Sequence, residues 1–231
     1  MKMKIRRILT FLIAGWLPLT ALADIAPTAT YMDENGTEVT DWKDFSADAP
    51  LHVRFTANAS SLDANASLEW HFNHQGANGN TQLTRYETDP EFDFTESGIT
   101  EVSLLVRQDN EVVDSSSIRI TISESHLEMP NAFSPNDDGV NDFYQAKSNH
   151  KSIVSFHAYI FNRWGQKLYE WTDCTDEKKG WNGTFHGQPV KDGVYYVLVK
   201  ARGADGREYN IRRDVNLLRK YNEVTTGGSN E

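Results

Sequence analysis

The stretch Leu68-Glu69-Trp70-His71-Phe72 alternates apolar and polar side chains, and this alternation decides the fold of the first half of the chain. A period of two residues is typical of a β-strand with one buried face. The same alternation recurs in four further runs: Leu51/Val53/Phe55, Phe92/Phe94, Val102/Leu104/Val106 and Ile118/Ile120/Ile122. Turn-forming clusters at 75–80 and 96–98 separate these runs. The pattern predicts a β-sandwich over 49–125 with Trp70 in its core, preceded by a polar lead segment at 24–48.

A second set of strand patterns begins at residue 126. In its two most apolar runs, both alternating faces carry large side chains, as with Phe156 and Ile160 against Tyr159 and Phe161. Such strands are predicted to be central in their sheet and partly covered on both faces. A hairpin turn is predicted at 203–206 before a strand at 208–218, and a flexible tail at 223–231. The chain is thus predicted to be all-β, with two tandem β-sandwich (Ig-like) domains at 49–125 and 126–222.

The N-terminus has the pattern of an export signal. Four basic residues precede an uncharged, largely apolar stretch from Ile8 to Leu22, which ends at Ala21-Leu22-Ala23. This order predicts a secretory signal peptide at 1–23, cleaved between Ala23 and Asp24. No later segment is apolar for long enough to span a bilayer, so no transmembrane segment is expected in the mature chain. We therefore expect export through the inner membrane, to the periplasm, the outer membrane surface or the extracellular space.

Charge divides the chain into two unlike halves. Residues 24–125 contain 5 basic and 19 acidic residues, a net charge of −14, whereas residues 126–231 contain 14 of each. The acidic half should repel the phosphates of nucleic acid, so a nucleic-acid partner is disfavoured. Cys174 is the only cysteine, which excludes an intramolecular disulfide. Its polar surroundings predict an exposed loop, in which the thiol is either incidental or pairs with another chain.

Four sequence blocks in the second half resemble a known family. They are Pro130-Asn131-Ala132-Phe133-Ser134-Pro135-Asn136-Asp137-Asp138-Gly139-Val140-Asn141-Asp142-Phe143, Ile160-Phe161-Asn162-Arg163-Trp164-Gly165, Gly180-Trp181-Asn182-Gly183-Thr184 and Asp192-Gly193-Val194-Tyr195-Tyr196. In order and spacing they resemble the gliding-motility-associated C-terminal domain of Bacteroidetes. The resemblance implies a sandwich-like module that serves as a type B sorting signal of the type IX secretion system, which carries cargo from the periplasm to the cell surface.

The upstream half more weakly resembles PKD-type Ig-like domains. The similarity lies in Trp70-His71-Phe72 and in the block at 94–98, but the acidic turn usual in that family is absent, because 73–76 reads Asn-His-Gln-Gly. In size and plan the chain also resembles short members of the sorting-domain family. These are linked to regulation of the type IX system through envelope-stress signalling.

One loop concentrates oxygen ligands. Asn136, Asp137, Asp138, Asn141 and Asp142 place five amide or carboxylate groups around Gly139, as loops that bind hard cations do, and calcium is the candidate ion. The spacing is not that of an EF-hand, and no Glu closes the loop at the expected distance. The alternative is a turn in which these side chains bond to nearby amides and Gly139 takes a positive φ. The family usually has Gly at position 137.

Candidate partner-binding residues come from two tryptophan blocks and a basic terminal hairpin. Trp164, with Arg163, and Trp181 either form a surface read by secretion components or fold their rings over the core. The basic hairpin includes Arg212, Arg213 and Arg219, and either docks onto an acidic partner, including the chain's own acidic half, or is a charged edge that discourages aggregation. The seven histidines form no recognised zinc or haem pattern, and no nucleophile or phosphate-loop motif occurs.

We therefore expect a non-catalytic, exported interaction protein. Its predicted partners are type IX secretion or envelope-signalling components, which recognise the C-terminal domain either for sorting or as a signal of the state of the system. The alternative is a small surface adhesin or carbohydrate-binding module that binds a glycan or protein ligand through the PKD-like domain and uses the C-terminal domain only as an address. No cofactor is expected apart from the candidate calcium ion.

Overall fold

A computed structural model describes residues 25–219, except positions 61 and 63. The predicted signal peptide, its cleavage site at Ala23 and Asp24, and the predicted tail at 223–231 lie outside the described residues. Within them the chain forms sixteen strands and one short 3-10 helix, Glu177–Lys179, which agrees with the predicted all-β class. We call residues 25–125 the first unit and residues 126–219 the second unit.

The first unit is a sandwich of two sheets. Its strands are β1 (Thr28–Met32), β2 (Glu38–Asp41), β3 (Phe45–Ala47), β4 (Leu51–Thr56), β5 (Ala66–Gly76), β6 (Gly79–Arg85), β7 (Glu91–Phe94), β8 (Gly98–Gln108) and β9 (Glu111–Ile122). One sheet has the order β2-β1-β4-β7 and the other β3-β9-β8-β5-β6. All pairs are antiparallel except β3 with β9.

The core between these sheets consists of the alternating apolar residues of the predicted strands. Trp70 and Phe55 are fully buried, and their rings lie 5.6 Å apart. Burial of an aromatic or aliphatic side chain of this size stabilises the fold by about 1.5–3 kcal/mol. The prediction of a sandwich core around Trp70 is confirmed.

The predicted polar lead at 24–48 was wrong, because this segment contains β1, β2 and β3. The three strands are short and only partly buried, so their sequence shows no clear alternation. They are held by tertiary contacts instead: β1 pairs with β4, and the ring of Tyr31 stacks on that of Phe45 at 4.1 Å.

The second unit is one large sheet covered on one face by loops. Its strands are β10 (Ala132–Phe133), β11 (Ile153–Phe161), β12 (Lys167–Trp171), β13 (Thr184–Phe185), β14 (Gln188–Pro189), β15 (Gly193–Gly203) and β16 (Glu208–Leu217). The sheet order is β10-β16-β15-β11-β12, and β13 and β14 form a separate small hairpin. β11 and β15 are central, as predicted. The layer opposite the sheet comes mainly from irregular segments that contribute Leu127, Met129, Tyr144, Cys174 and Trp181 to the core.

The two units meet at the turn between β15 and β16. Ala204, in this turn, is 2% exposed and belongs to the hydrophobic core of the first unit, and its carbonyl accepts a hydrogen bond from the amide of Ser97 at 3.1 Å. The Ser125 hydroxyl donates to Asp205 Oδ1 at 2.6 Å and lies 2.9 Å from the Tyr209 hydroxyl. The predicted hairpin turn therefore exists, and it also forms the junction.

A second set of contacts lies beside this turn. Ser152 Oγ accepts a hydrogen bond from the amide of Ala49 at 3.1 Å and is 2.8 Å from Ser123 Oγ, which also bonds to Asp48. The units therefore meet through buried serines and an aspartate. The arginines that sequence analysis proposed for docking onto the acidic half do not form these contacts.

Candidate recognition surface of the second unit

The family-like sequence blocks converge on an aromatic cluster in the core of the second unit. The Trp181 ring lies 5.3 Å from Phe133 and 5.0 Å from Tyr195, and Phe133 lies 5.7 Å from Tyr144. Trp181 is fully buried and its Nε1 donates to the carbonyl of Thr184 at 2.8 Å. Trp181 therefore cannot present its ring to a partner. The prediction that Trp181 belongs to a partner-binding surface is wrong. The alternative, in which its ring packs in the core, is correct.

The backbone conformation at position 183 explains why this tryptophan block contains a glycine there. Its φ is +74°, a conformation that L side chains rarely adopt. A Cβ at this position would lie 2.9 Å from Nη2 of Arg219 and 3.0 Å from Pro135. The glycine thus permits close packing between the tryptophan block, the first block and the end of β16.

The acidic loop at 136–142 is organised by its own side chains. The Asp142 carboxylate accepts hydrogen bonds from the amides of Asn136 at 3.0 Å, Asp137 at 2.8 Å and Gly139 at 2.8 Å. Asp138 Oδ1 accepts from the amide of Val140 at 2.9 Å. Gly139 has a φ of +85°, as predicted, and Asp137 has a φ of +63°. A left-handed backbone at 137 gives a physical reason for the glycine that the family usually has there.

This geometry fits the turn better than a calcium site. The carboxylates of Asp142 and Asp138 point at backbone amides within the loop, and Asn136 Nδ2 donates to Asp138 Oδ2 at 2.8 Å. Within residues 25–219, apart from the two undescribed positions, no group of three or more His, Cys, Asp or Glu side chains is placed to hold a metal ion. Calcium binding at Asn136, Asp137, Asp138, Asn141 and Asp142 stays a prediction for a direct test.

Trp164 projects from the turn between β11 and β12. Asn162 Oδ1 accepts hydrogen bonds from the amides of Trp164 and Gln166, each at 3.0 Å, and Gly165 has a φ of +79°. The turn leaves Trp164 76% exposed, with the guanidinium of Arg163 4.5 Å from the centre of its ring. A large apolar ring gains little stability in this position, and its place on a partner-binding surface stays a prediction.

A mixed aromatic and basic surface lies on the face of the large sheet that is not covered by the loops. We define the outer face as Tyr159, Phe161, Tyr196, Leu198 and Arg212. Strand register places Tyr159 beside Leu198, Leu198 beside Arg212, and Phe161 beside Tyr196. Phe161, Tyr196, Leu198 and Arg212 line a shallow groove of about 330 Å³ together with Val197, Arg213 and Asp214. Tyr196 is 43% exposed, whereas a sheet face inside the core would be fully covered.

The remaining predicted arginines have partners within the chain. Arg213 donates to the carbonyl of Met129 at 2.6 Å, and Arg219 donates to the carbonyl of Gly183 at 2.6 Å and to Asp192 Oδ1 at 3.0 Å. Arg212 and Arg213 point to opposite faces of β16, so only Arg212 belongs to the outer face. The apolar residues on both faces of β11 and β15 predict central strands that are partly covered on each side. That pattern did not predict a binding surface at Tyr159, Phe161, Tyr196 and Leu198.

Cys174 is buried, not exposed as predicted. It belongs to the core of the second unit and is 5% exposed. Burial raises the pKa of its thiol to about 11, so the reactive thiolate is scarce at neutral pH. A disulfide with another chain would require the core to open. The polar neighbours of Cys174 misled the prediction, because they form the surface of a loop whose central residue points inward.

The fold and the converging blocks define an all-β protein with an Ig-like first unit and a sheet-and-loop second unit. Comparison with family models shows that residues 127–212 match the CHU_C type IX secretion signal domain. This match confirms, for residues 127–212, the family predicted from the four blocks. Such a signal implies export beyond the inner membrane. No curated protein matches the chain.

Solved structures resemble the chain only distantly. A tetra-tandem repeat from the extending region of a large adhesion protein is 12% identical, with 85% of this chain and 68% of that chain covered and a TM-score of 0.29. The FN1–FN3 domains of chicken CNTN1 are 9% identical, with 78% and 68% covered and a TM-score of 0.29. Dimeric latent PorU from Porphyromonas gingivalis is 10% identical, with 85% and 20% covered and a TM-score of 0.26. Likeness at this level carries no functional argument.

In the part of the chain that the structure describes, no helix has the length and apolar character needed to cross a bilayer.

Proposed function

We propose that this chain is an exported, non-catalytic interaction protein whose second unit is bound by components of the type IX secretion system. The match of residues 127–212 to a type IX secretion signal domain carries this proposal. Binding serves either sorting to the cell surface or signalling of the state of the system.

The contact surface that we propose consists of Trp164, Arg163 and the outer face. Binding energy at protein interfaces concentrates in exposed aromatic and arginine side chains, and this surface contains both. Other motif residues have structural roles: Trp181 fills the core and Asp142 organises the acidic loop. These residues form a scaffold, and the exposed turn at 162–165 presents the side chains that a partner can reach.

The decisive experiment compares Trp164→Ala with Tyr86→Ala in cells with an active type IX system. Tyr86 is the matched control, because it is 71% exposed and lies in the first unit. We expect Trp164→Ala to reduce crosslinking of the second unit to type IX components at least about tenfold, which corresponds to about 1.4 kcal/mol. Tyr86→Ala should leave crosslinking unchanged. Equal crosslinking of the two variants would contradict the proposed surface.

Cell fractionation separates sorting from signalling. If the second unit is a sorting address, the wild-type chain should be accessible to protease on intact cells, and Trp164→Ala should retain it in the periplasm. If it is a signal, the wild-type chain should stay in the periplasm, and Trp164→Ala should alter the envelope-stress response without changing location. A chain that crosslinks to no type IX component in either compartment would contradict both versions.

A further inference from the structure

The first unit has a cleft that the proposed function does not use. It opens between β6 and β7, which are the edge strands of the two sheets on the same flank of the sandwich. The cleft has a volume of about 210 Å³ and is lined by Phe72, Leu83 and Phe92, with Thr81 and Glu96 at the polar end. The rings of Phe72 and Phe92 stack at 4.7 Å and form its apolar base.

Leu83 shows that one side of this cleft lacks a covering strand. It pairs in register with Phe72, so both side chains point to the face that meets the opposite sheet. Phe72 is 2% exposed, but Leu83 is 39% exposed. The opposite sheet therefore ends at β7, before it covers β6.

β6 can accept another strand along its outer edge. It has seven residues, and in the described part of the chain it pairs only with β5. Its sequence, GNTQLTR, contains no proline or lysine and one arginine at its end. Edges that must stay unpaired usually carry such protective residues. β7, by contrast, carries Glu91 and Asp93 and has only four residues.

The chemistry of the polar end favours a cationic side chain. Glu96 is half exposed, and its Oε2 lies 3.8 Å from His74 Nε2, a buried atom with no hydrogen-bond partner among the described residues. His74 Nδ1 lies 2.9 Å from Thr100 Oγ1, which fixes the ring beside the cleft. The segment from 87 to 96 contains five carboxylates and no basic residue, within a half-chain of net charge −14.

The volume of the cleft distinguishes between classes of ligand. Sites for whole small molecules usually have about 300–1,000 Å³, which is more than this cleft offers. Side chains that alternate along an added strand enter at i and i+2, about 6.6 Å apart. The cleft has room for two such side chains. One is aliphatic and lies over Leu83 and Phe92, and the other is a Lys or Arg side chain that reaches Glu96.

We propose that the first unit binds an extended segment of a partner protein, which pairs with β6 and inserts an aliphatic and a basic side chain into the cleft. Backbone hydrogen bonds to the β6 edge contribute affinity, and the cleft selects the side chains. Glu96 pairs with the basic group. This site is independent of the proposed surface around Trp164, so either can fail without the other.

The test uses the exported full-length chain and three fluorescent peptides of about ten residues, long enough to span β6. The first alternates Val and Thr with one central Lys in place of Val, the second has Glu in place of that Lys, and the third has a central Pro. We expect fluorescence anisotropy to show binding of the Lys peptide, at least about tenfold weaker binding of the Glu peptide, and no binding of the Pro peptide, which cannot complete the backbone pairing.

Two substitutions in the cleft and one control complete the test. Glu96→Gln should weaken binding of the Lys peptide about tenfold and leave the melting temperature unchanged, whereas Leu83→Glu should abolish binding of both the Lys and the Glu peptide. Glu111→Gln, at the start of β9 and distant from the cleft, should change nothing. Equal affinities for the Lys and Glu peptides, or no effect of Glu96→Gln, would overturn the proposal. If no peptide binds, but the chain binds a polysaccharide and Leu83→Glu abolishes that binding, the cleft is a glycan site and the peptide proposal is overturned.

Discussion

The two units stabilise their cores in different ways. The first unit packs two sheets face to face, so its core consists of residues that alternate along strands, such as Val53, Trp70 and Leu104. The second unit has one large sheet, and the layer opposite it consists mainly of loops that place Tyr144 and Trp181 over the sheet. Each loop residue there depends on a specific turn, whereas residues of a sandwich core are positioned by the regular pairing of strands.

Within the four sequence blocks of the second unit, residues that build the loops and the core can be distinguished from residues that a partner can reach. In the second unit, glycines, asparagines and aspartates of the motif shape loops, and the aromatic residues beside them fill the core. Three aromatic residues are exceptions: Trp164, because its turn directs it to solvent, and Phe161 and Tyr196, which lie on the outer face. The following predictions test this division, from the largest expected effect to the smallest.

Trp181→Ala should be the most destabilising of these substitutions. Loss of a fully buried indole leaves a cavity and an unpaired carbonyl at Thr184, and should lower the free energy of unfolding by about 3–5 kcal/mol. Urea denaturation followed by circular dichroism measures it. Trp164→Ala is the matched control and should cost under about 0.5 kcal/mol, because its ring is 76% exposed. Similar costs for the two variants would refute the division between core and surface tryptophans.

Ser125→Ala should weaken the junction between the units. The substitution leaves Asp205 and Tyr209 without their shared hydroxyl partner and should cost about 1–3 kcal/mol. In calorimetry we expect the wild type to unfold in a single transition, and the transition of Ser125→Ala to broaden or separate into two. Ser117→Ala, at an exposed position on β9, is the control and should have little effect. An unchanged transition in Ser125→Ala would show that the units are not coupled through this contact.

Asp142→Ala tests whether the acidic loop is a turn or a calcium site. The substitution removes the acceptor of three backbone amides and should lower stability by about 1–3 kcal/mol, with or without calcium. Asp137→Gly is the control, because it retains the backbone amide and suits the positive φ; it should change stability by less than about 1 kcal/mol.

Melting temperatures in excess calcium and in chelator complete this test. A bound ion stabilises the native state, so a calcium-dependent rise in the wild type that Asp137→Gly abolishes would support the calcium site. A melting temperature unaffected by either condition would remove it.

Asp173 should make a small contribution that depends on pH. The hydrogen bond from Lys179, followed by those from Thr175, holds the pKa of its carboxyl well below the ordinary value of 3.8. Its contribution is therefore present above about pH 4 and is lost as the pH falls through the lower folded-state pKa. Because the side chain is near the surface, we expect less than about 1 kcal/mol. The difference in unfolding free energy between wild type and Asp173→Asn should shrink from about pH 6 to about pH 2, and a constant difference would contradict this assignment.

Much of the first unit could be predicted because its long strands bury one face. The runs around Trp70, Val102 and Ile118 showed the period of two that such burial imposes. β1, β2 and β3 could not be predicted in this way, because they are short and gain their stability from neighbouring strands. The cleft beside β6 was also invisible, since it results from one sheet being wider than the other.

In the second unit, sequence blocks identified the domain but not the position of each side chain. Trp164 and Trp181 both precede a short polar or glycine turn, yet one is exposed and the other fully buried. Cys174 lies among polar residues and is nevertheless buried. In each case the direction of a loop side chain depends on contacts with residues distant in sequence, which a local pattern does not contain.

The sequence by itself determined the all-β class, the division into two units, the core around Trp70 and the kinship of residues 127–212 to a secretion signal domain. These features follow from local periodicity and motif order, which are properties of neighbouring residues. Only the tertiary structure decided which tryptophan is available to a partner, that Ser125 and Asp205 join the units, and that a cleft opens beside β6. These features depend on how distant segments pack, because burial and exposure are set by the whole fold.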